Sequence, residues 1–384
     1  MKMKSKTDVV IIGGGVTGCS LAYTLAKKGM DVCLFEKKYL SSGATGCCGA
    51  GIRQQWSTKE NAELAKKSVD IFEKLSKTLD YDIELRQGGY LIAVHDEKEM
   101  KQAEKNVEMQ KSLGIKVDIL SPKQINNIAN ILDVKGMNVV GATFCKTDGH
   151  ANPFKTTFAY ANAAKKNGAE IFTHTEVTDI KTEKNQVKEV QTTKGSIKAD
   201  FVVNAAGVWS KEIAEMIGVK IPNVPLRKEI MATERIKPLF EAMIISFKDG
   251  IYFSQQEEGQ IVGGIPIPEQ KPGFKTMPTF SFFNHMSKTL TRYAPSLKHV
   301  NMLRHWTGFY DVTPDSRPIL GETSQVKGFI HCHGFSGHGF MLSPMVAKLL
   351  SDYISEGKTS KVLESLNPDR FKGKKLTGET YVVG

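Results

Sequence analysis

Residues 13–18 read Gly-Gly-Gly-Val-Thr-Gly, directly behind the β-branched run TDVVII (7–12) and directly ahead of VTGCSLAYTLAKKG, whose apolar positions recur at helical spacing. Few folds run a strand through consecutive glycines into a helix. In a GxGxxG pattern the first glycine makes the tight turn, the second lets backbone approach a pyrophosphate, and the third lets helix pack on strand. Gly13, Gly15 and Gly18 take those places. Val16 and Thr17 open the helix, whose free N–H groups and dipole favour an anion. The next run, DVCLFE, closes on Glu36, 18 residues beyond Gly18, where a carboxylate can accept from both ribose hydroxyls. A β-α-β unit that binds a dinucleotide follows, with NAD and FAD equally compatible.

The chain has 384 residues, enough for two or three domains and a sizeable core. Strand and helix patterns alternate along it. Strand-rich GGYLIAVHD (88–96) leads into a charged helical segment, then LSPKQINNI, where Ser121 and Pro122 read as N-cap and first-turn residues. PFKTTFAYANAAKKNG (153–168) reads as helix, followed by the strand signals AEIFTHTEVTDI and FVVNAAG (201–207). Residues from about 225 to 312 carry β-branched and aromatic residues with many turn signals; strand FIHCHG (329–334), a glycine turn and a helix from about 340 to 356 follow. This alternation predicts an α/β nucleotide domain interrupted by antiparallel inserts.

The formal net charge of +11 invites a nucleic-acid or anionic-membrane reading. Arginine argues against it. Only eight arginines are present, whereas base and phosphate recognition favours the planar guanidinium fork. The lysines are mixed with glutamate along segments such as NAELAKKSVDIFEKLSKTLD (61–80), as on a solvated helix face. No run approaches the roughly 18 apolar residues that span a bilayer, so no transmembrane segment is expected. Six cysteines without CxxC or zinc spacing imply reduced thiols, a cytoplasmic setting and no metal.

Five motifs in order along the chain resemble the D-amino-acid-oxidase superfamily of flavoproteins: GGGVTG with Glu36, SSGATGCCGAGIRQQW (41–56), NAAGVWS (204–210), WTGFYDVTPDSRPILG (306–321) and GFSGHGFMLSP (334–344). Within it the chain is similar to the β subunits of heteromeric L-proline dehydrogenases and sarcosine oxidases. The resemblance implies an α/β fold, α+β overall: a Rossmann-like FAD-binding domain (1–86, 146–224 and 313–384) interleaved with an antiparallel-sheet substrate domain (87–145 and 225–312).

It also assigns residues. Gly13, Gly15, Val16, Thr17, Gly18, Glu36 and Lys37 would hold the ADP part of FAD; Ser42, Gly43, Ala44 and Thr45, with Cys48 and Gly49, match the loop that passes the pyrophosphate and flavin. Val177 matches the adenine contact, and Ala206 and Gly207 match the end of the strand NAAGVWS that supports the cofactor. Gly337, His338, Gly339, Phe340 and Met341 match the helix start that faces the flavin, where backbone N–H groups stabilise developing negative charge. Arg53 matches the arginine that pairs with the substrate carboxylate; Tyr252 and Tyr310 match aromatic walls, and Trp306 reads equally as wall or core.

Three departures shape the functional expectation. Gly308 stands where monomeric sarcosine oxidase carries its flavin-linking cysteine, so FAD is expected to be noncovalent. Met341 replaces a second carboxylate-binding lysine, and Val262 aligns with the lysine that promotes oxygen reaction, which favours a dehydrogenase over an oxidase. Pro153 aligns with the FMN-linked histidine of heterotetrameric relatives, with His150 nearby, so FMN at a subunit interface stays open and would be noncovalent. The expected reaction is oxidation of a secondary amino acid, L-proline or sarcosine type, to the imine by hydride transfer to flavin N5. The expected partners are that substrate, a larger α subunit and a small iron–sulfur subunit. Oxidation of glycine or an opine-type amino acid, or a non-catalytic FAD electron-transfer subunit, are the alternatives. Cys47 and Cys48 read as packing residues more readily than as a redox pair, since adjacent cysteines seldom form unstrained disulfides.

Overall fold

The run KTDVVII forms the strand Lys6–Ile12, and its buried side chains on both faces explain why the sequence shows continuous apolar character there instead of alternation. In the computed structural model, which describes residues 3–267, 270–373, 376 and 378–382, this strand lies inside an eight-stranded sheet. Val32–Phe35 and Gly195–Asn204 flank it in parallel, Glu170–Phe172 extends one side, and Phe329–His333 extends the other. Ile319–Glu322 closes that edge antiparallel, and the hairpin Val177–Glu183 with Gln186–Thr192 hangs from Gly195–Asn204. Helices Val16–Lys27, Lys59–Leu79, Pro153–Lys166 and Gly339–Glu356 contribute to one apolar core with these strands.

Lys59–Leu79 shows the packing logic. Ala62, Ala65, Val69, Phe72, Leu75 and Leu79 recur at three- and four-residue spacing and are buried, whereas Lys67, Lys74 and Lys77 face solvent. The lysine excess of this segment is a solvated face.

A second eight-stranded sheet runs in the order Met302–Val312, Val224–Thr233, Ile261–Gly264, Tyr252–Gln255, Met243–Ser246, Tyr90–Val94, Gly141–Cys145, Val117–Leu120. Its pairings are antiparallel except where Met243–Ser246 meets Tyr90–Val94. One element inside its strand-rich stretch is a helix, Phe280–Tyr293. Phe282, Met286, Leu290 and Tyr293 lie buried along one stripe, and Thr279 caps the first turn by accepting from the Phe282 N–H at 3.2 Å.

Two other sequence readings meet the structure closely and one is corrected. Helix Pro122–Ile128 carries the expected cap, a box between Ser121 and Gln124, and the last long helix is Gly339–Glu356. NAAGVWS, read as a strand, leaves the sheet at Asn204: Gly207 has φ +55°, Gly207–Trp209 is a 3-10 turn, and Asn204 Nδ2 donates to the Ser210 carbonyl at 2.7 Å. Among the described residues no helix is long and apolar enough to cross a membrane.

The first turn of the fold has no slack. A Cβ on Gly18 would stand 2.0 Å from the Gly13 carbonyl oxygen, and one on Gly13, at φ +116°, would stand 2.4 Å from the Ala205 carbonyl oxygen. Gly18→Ala is therefore expected to cost about 1–3 kcal/mol of stability. Thermal unfolding of the variant beside the parent checks this; an unchanged midpoint would show that the helix can retreat from the strand without penalty.

Candidate active site between the two sheets

One long cleft runs from the glycine turn of the parallel sheet to the inner face of the second sheet. At its first end lie Gly13, Gly15, Val16 and Thr17, with Gly14 between them. Glu36, buried at the end of its strand, accepts from the Gly14 N–H at 2.8 Å through Oε2, and from the Lys38 N–H at 2.7 Å and Ser42 Oγ at 3.3 Å through Oε1. Its carboxylate thus holds the turn as well as facing the cleft. Thr45 Oγ1 accepts from the Val16 N–H at 3.1 Å, which ties Ser42, Gly43, Ala44 and Thr45 along the helix start. Lys37 sits over the Trp209 ring, 4.2 Å from its centroid, and Val177, Ala206 and Gly207 line the same end. Gly18 does not line the cleft; its place is the strand–helix contact described above. A turn with no room for side chains, a helix start and a buried carboxylate at the next strand end together fit the adenosine diphosphate half of FAD.

The other end is built by the turn after Phe329–His333. Gly334, Ser336 and Gly337 all have positive φ, and Ser336, the non-glycine among them, is pinned there because its N–H donates to the Asp311 carbonyl at 2.9 Å and its Oγ accepts from the Thr313 N–H at 3.2 Å. The turn delivers His338 to the start of helix Gly339–Glu356, and Gly337, Gly339, Phe340 and Met341 line the cleft. A Cβ on Gly337 would stand 2.4 Å from the Tyr310 ring, so the ring packs closely on the turn. Tyr252 closes on Gly49 in the same way, 3.0 Å from where a Cβ would be, and Cys48 lies beside it in the lining. Burial pushes both phenols and the Cys48 thiol up, the thiol to about 12, so Cys48 is no thiolate at neutral pH. Gly308 lines the cleft too, and a Cβ there would stand 2.8 Å from Cys47 Cβ. A side chain at 308 has no room to reach a ligand, which is consistent with FAD held without a covalent bond.

Arg53 is 1% exposed, and its surroundings define the second half of the site. Nη1 donates to the Gln55 carbonyl at 2.6 Å; Nη2 donates to the Tyr381 carbonyl and lies 3.2 Å from His338 Nε2; the guanidinium stacks 4.3 Å above the Trp56 ring. Among the described residues it forms no ion pair with a carboxylate. His338 is held neutral, its pKa pushed down to about 3 by burial and then by Arg53. With Arg53 donating to Nε2, the hydrogen-bond network assigns the ring proton to Nδ1.

Two residues at this end were not singled out in the sequence. Asp148, fully buried, accepts from the Gln54 N–H at 2.9 Å, Gln54 Nε2 at 3.1 Å and Gln55 Nε2 at 3.2 Å, fixing the segment that carries Arg53. Lys228 lines the cleft opposite Gly308 in the ladder, 5.3 Å from the Tyr310 ring centroid, and burial lowers its pKa to about 8. Nothing in PLRKEIMAT separates Lys228 from the surface lysines, and nothing in TDGHANPF separates Asp148 from a turn residue.

His150 and Val262 line a second cavity with Arg304 and Trp306, apart from the main cleft. Val262 therefore does not stand in the cleft, whose lining cations include Lys228 and Arg53. Trp306 is half-buried and donates to the Cys47 carbonyl at 3.4 Å, and Pro153 begins helix Pro153–Lys166. Thr313 and Asp315 of the TPD motif are structural: Asp315 takes a two-point contact from Arg370 at 2.8 and 3.1 Å. All six cysteines are free, and among the described residues no cluster of three His, Cys, Asp or Glu could hold a metal ion.

A model of the family named FAD dependent oxidoreductase (DAO) matches residues 8–353. The chain is 28% identical over 381 residues to sarcosine oxidase subunit beta of Arthrobacter sp, covering 98% of this chain and 94% of that protein. Among solved structures, L-proline dehydrogenase from P. horikoshii shares 37% identity at a TM-score of 0.93, with 97% of this chain and 100% of that chain covered. Glycine oxidase from Bacillus cereus ATCC 14579 shares 28% identity at a TM-score of 0.84, with 94% and 98% covered.

Asp148 gives a pH test of the site's construction. Burial raises its pKa to about 6. Its native pKa lies above the unfolded value, so between these values the native state binds more protons and the carboxylate's contribution to stability declines as pH rises. Asp148→Asn removes that slope. The difference in unfolding free energy, variant minus parent, is expected to rise by about 2–3 kcal/mol between pH 4 and pH 7, read from denaturation curves across that range.

Proposed function

Since the chain belongs to the FAD dependent oxidoreductase family, we propose that it oxidises a secondary amino acid of the L-proline or sarcosine type to the imine, as the catalytic subunit of a heteromeric dehydrogenase. One observation carries this reading: a buried guanidinium that among the described residues makes no ion pair with a carboxylate, beside a helix start that opens into the dinucleotide cleft. Leaving a buried charge uncompensated is costly, and an amino-acid carboxylate is the ligand that compensates it.

In this reading Arg53 binds the carboxylate and fixes the α-carbon, while the Gln54–Gln55 segment clamped by Asp148 fixes Arg53. The rings of Tyr252 and Tyr310 wall the space between Gly49 and Gly337 and exclude water from it. Neutral His338 accepts from Arg53 without adding a like charge. The N–H groups at the start of helix Gly339–Glu356 offer a positive dipole end to negative charge that develops in the cleft. When bound there, FAD supplies the acceptor for the two electrons that leave the substrate carbon. No side chain is needed as base when the amine is bound with its lone pair free.

The dehydrogenase assignment is supported by the likeness to L-proline dehydrogenase from P. horikoshii, and the membership of a complex by the likeness to a sarcosine oxidase β subunit. A larger partner subunit would then take the electrons. Six free thiols favour a cytoplasmic setting. A glycine-type substrate is the second reading, favoured by the likeness to B. cereus glycine oxidase.

Anaerobic titration of the FAD-loaded chain with proline, sarcosine and glycine separates these readings, since the true substrate bleaches the flavin absorbance. No bleaching by any of them, with or without the partner subunit, would remove the proposal. Arg53→Ala is expected to raise KM on the order of 100-fold while FAD content stays at the parent level; a KM equal to the parent's would take the carboxylate anchor away.

A further inference from the structure

The hydrogen bonds at Arg53 leave no free fork for a substrate. A carboxylate binds a guanidinium with two parallel bonds along one of two edges, Nε with Nη2 or Nη1 with Nη2. Both edges use Nη2. In the structure Nη2 is engaged by the Tyr381 carbonyl and by His338 Nε2. A two-point contact with substrate therefore requires one of them to leave. His338 is buried at a helix start with its ring edge-on to Trp56, centroids 4.5 Å apart, and is locked in place. The Tyr381 carbonyl belongs to the segment 378–382, which the structure shows held by side-chain anchors.

Those anchors are specific. Glu379, 5% exposed, sits at the start of helix Lys59–Leu79: Oε1 accepts from the Ser57 N–H at 3.1 Å and from Ser57 Oγ, and Oε2 accepts from Thr58 Oγ1 and Asn61 Nδ2, each at 2.9 Å. The Tyr381 N–H returns to Glu379 Oε1 at 2.9 Å, and the Tyr381 ring packs on Phe247 with centroids 4.7 Å apart. Phe247 in turn lies 5.7 Å from the Arg53 guanidinium.

We propose that the segment 379–381 is a specificity element of the carboxylate site: the Tyr381 carbonyl occupies the Arg53 fork, and only a ligand whose carboxylate displaces that carbonyl binds there. This rests on Arg53 being the carboxylate anchor. A carboxylate offers the guanidinium an opposite charge and two parallel bonds where the carbonyl offers one bond and no charge, and a bare amine offers neither, so a carboxylate wins the exchange and a bare amine does not. Apparent affinity is lowered by the fraction of molecules in which the fork is open. Weakening the segment's hold raises that fraction.

The test is calorimetric titration of the FAD-loaded protein with acetate and, separately, methylammonium. Glu379→Ala and, as a variant that leaves the helix start intact, Tyr381→Ala are expected to tighten acetate binding on the order of tenfold, with no gain for methylammonium. Arg53→Ala is expected to lose acetate binding. If Arg53→Ala loses acetate while both segment variants bind it as weakly as the parent or more weakly, the displacement proposal is wrong and the anchor stands. An equal gain for methylammonium would likewise overturn it. If Arg53→Ala binds acetate as well as the parent does, the anchor itself falls and the proposal with it.

Discussion

A guanidinium charge buried between two sheets is the constraint on which the rest of the site depends. Arg53 is removed from water, which by itself disfavours its charged form, and the structure answers with direct contacts from neutral groups: the Gln55 and Tyr381 carbonyls, His338 Nε2 and the face of Trp56, with Glu379 and Asp148 acting from further away. Each answer then has to be held. Gln55 is fixed by Asp148 and by Thr143, whose Oγ1 donates to Gln55 Oε1 at 2.6 Å, while Trp56 Nε1 returns to the Arg53 carbonyl at 3.2 Å. The segment from Arg53 to Trp56 is thereby rigid in the way a binding constellation must be.

The cleft is shaped by absences of side chains as much as by side chains. At Gly13 and Gly18 the obstacle to a Cβ is backbone, at Gly337 it is the Tyr310 ring, and at Gly308 it is Cys47. These contacts come from different parts of the chain; Gly18 lets the first helix close on its strand, and Gly13, Gly308 and Gly337 bring backbone to the cleft a flat or elongated ligand would occupy. The same crowding places the Tyr310 ring against Gly337 and the Tyr252 ring against Gly49.

What the sequence disclosed follows the range of the interactions involved. The glycine turn with Glu36, and the helix start at Gly339, are each local patterns of adjacent strands and helices, and the structure puts them on one cleft. Arg53 could be named only because its segment GIRQQ resembles the family's, since two of its partners, His338 and Tyr381, lie 285 and 328 residues away. Asp148, Lys228 and Glu379 act across gaps of 94, 82 and 322 residues from Gln54, Tyr310 and Ser57, and no periodicity reports such a meeting. Register explains the position of Val262. It shares a sheet face with Gly264, which pairs with Tyr252, yet two residues along a strand is nearly 7 Å, enough to move it into the neighbouring cavity. The helix Phe280–Tyr293 was hidden by its phenylalanines, which read as strand formers until their three- and four-residue spacing is set against the Thr279 cap.

Charge illustrates why location outweighs totals. The +11 excess is mostly lysine on solvated faces, where pairs beyond about 8 Å are screened at physiological salt. Inside the cleft two cations escape that screening, Arg53 and Lys228, and burial makes both less comfortable as charges. A site with such groups gains more from an anion than any surface patch does, because the Coulomb attraction acts through low dielectric and the anion relieves a cost already present in the fold. Glu36 sets the opposite sign at the other end of the cleft, where the N–H groups of the helix start stand between it and the rest. The polarity along the cleft is therefore written into the backbone turns that hold these three side chains, and an elongated ligand with hydroxyls at one end and negative charge toward the other is oriented by it before any chemistry begins.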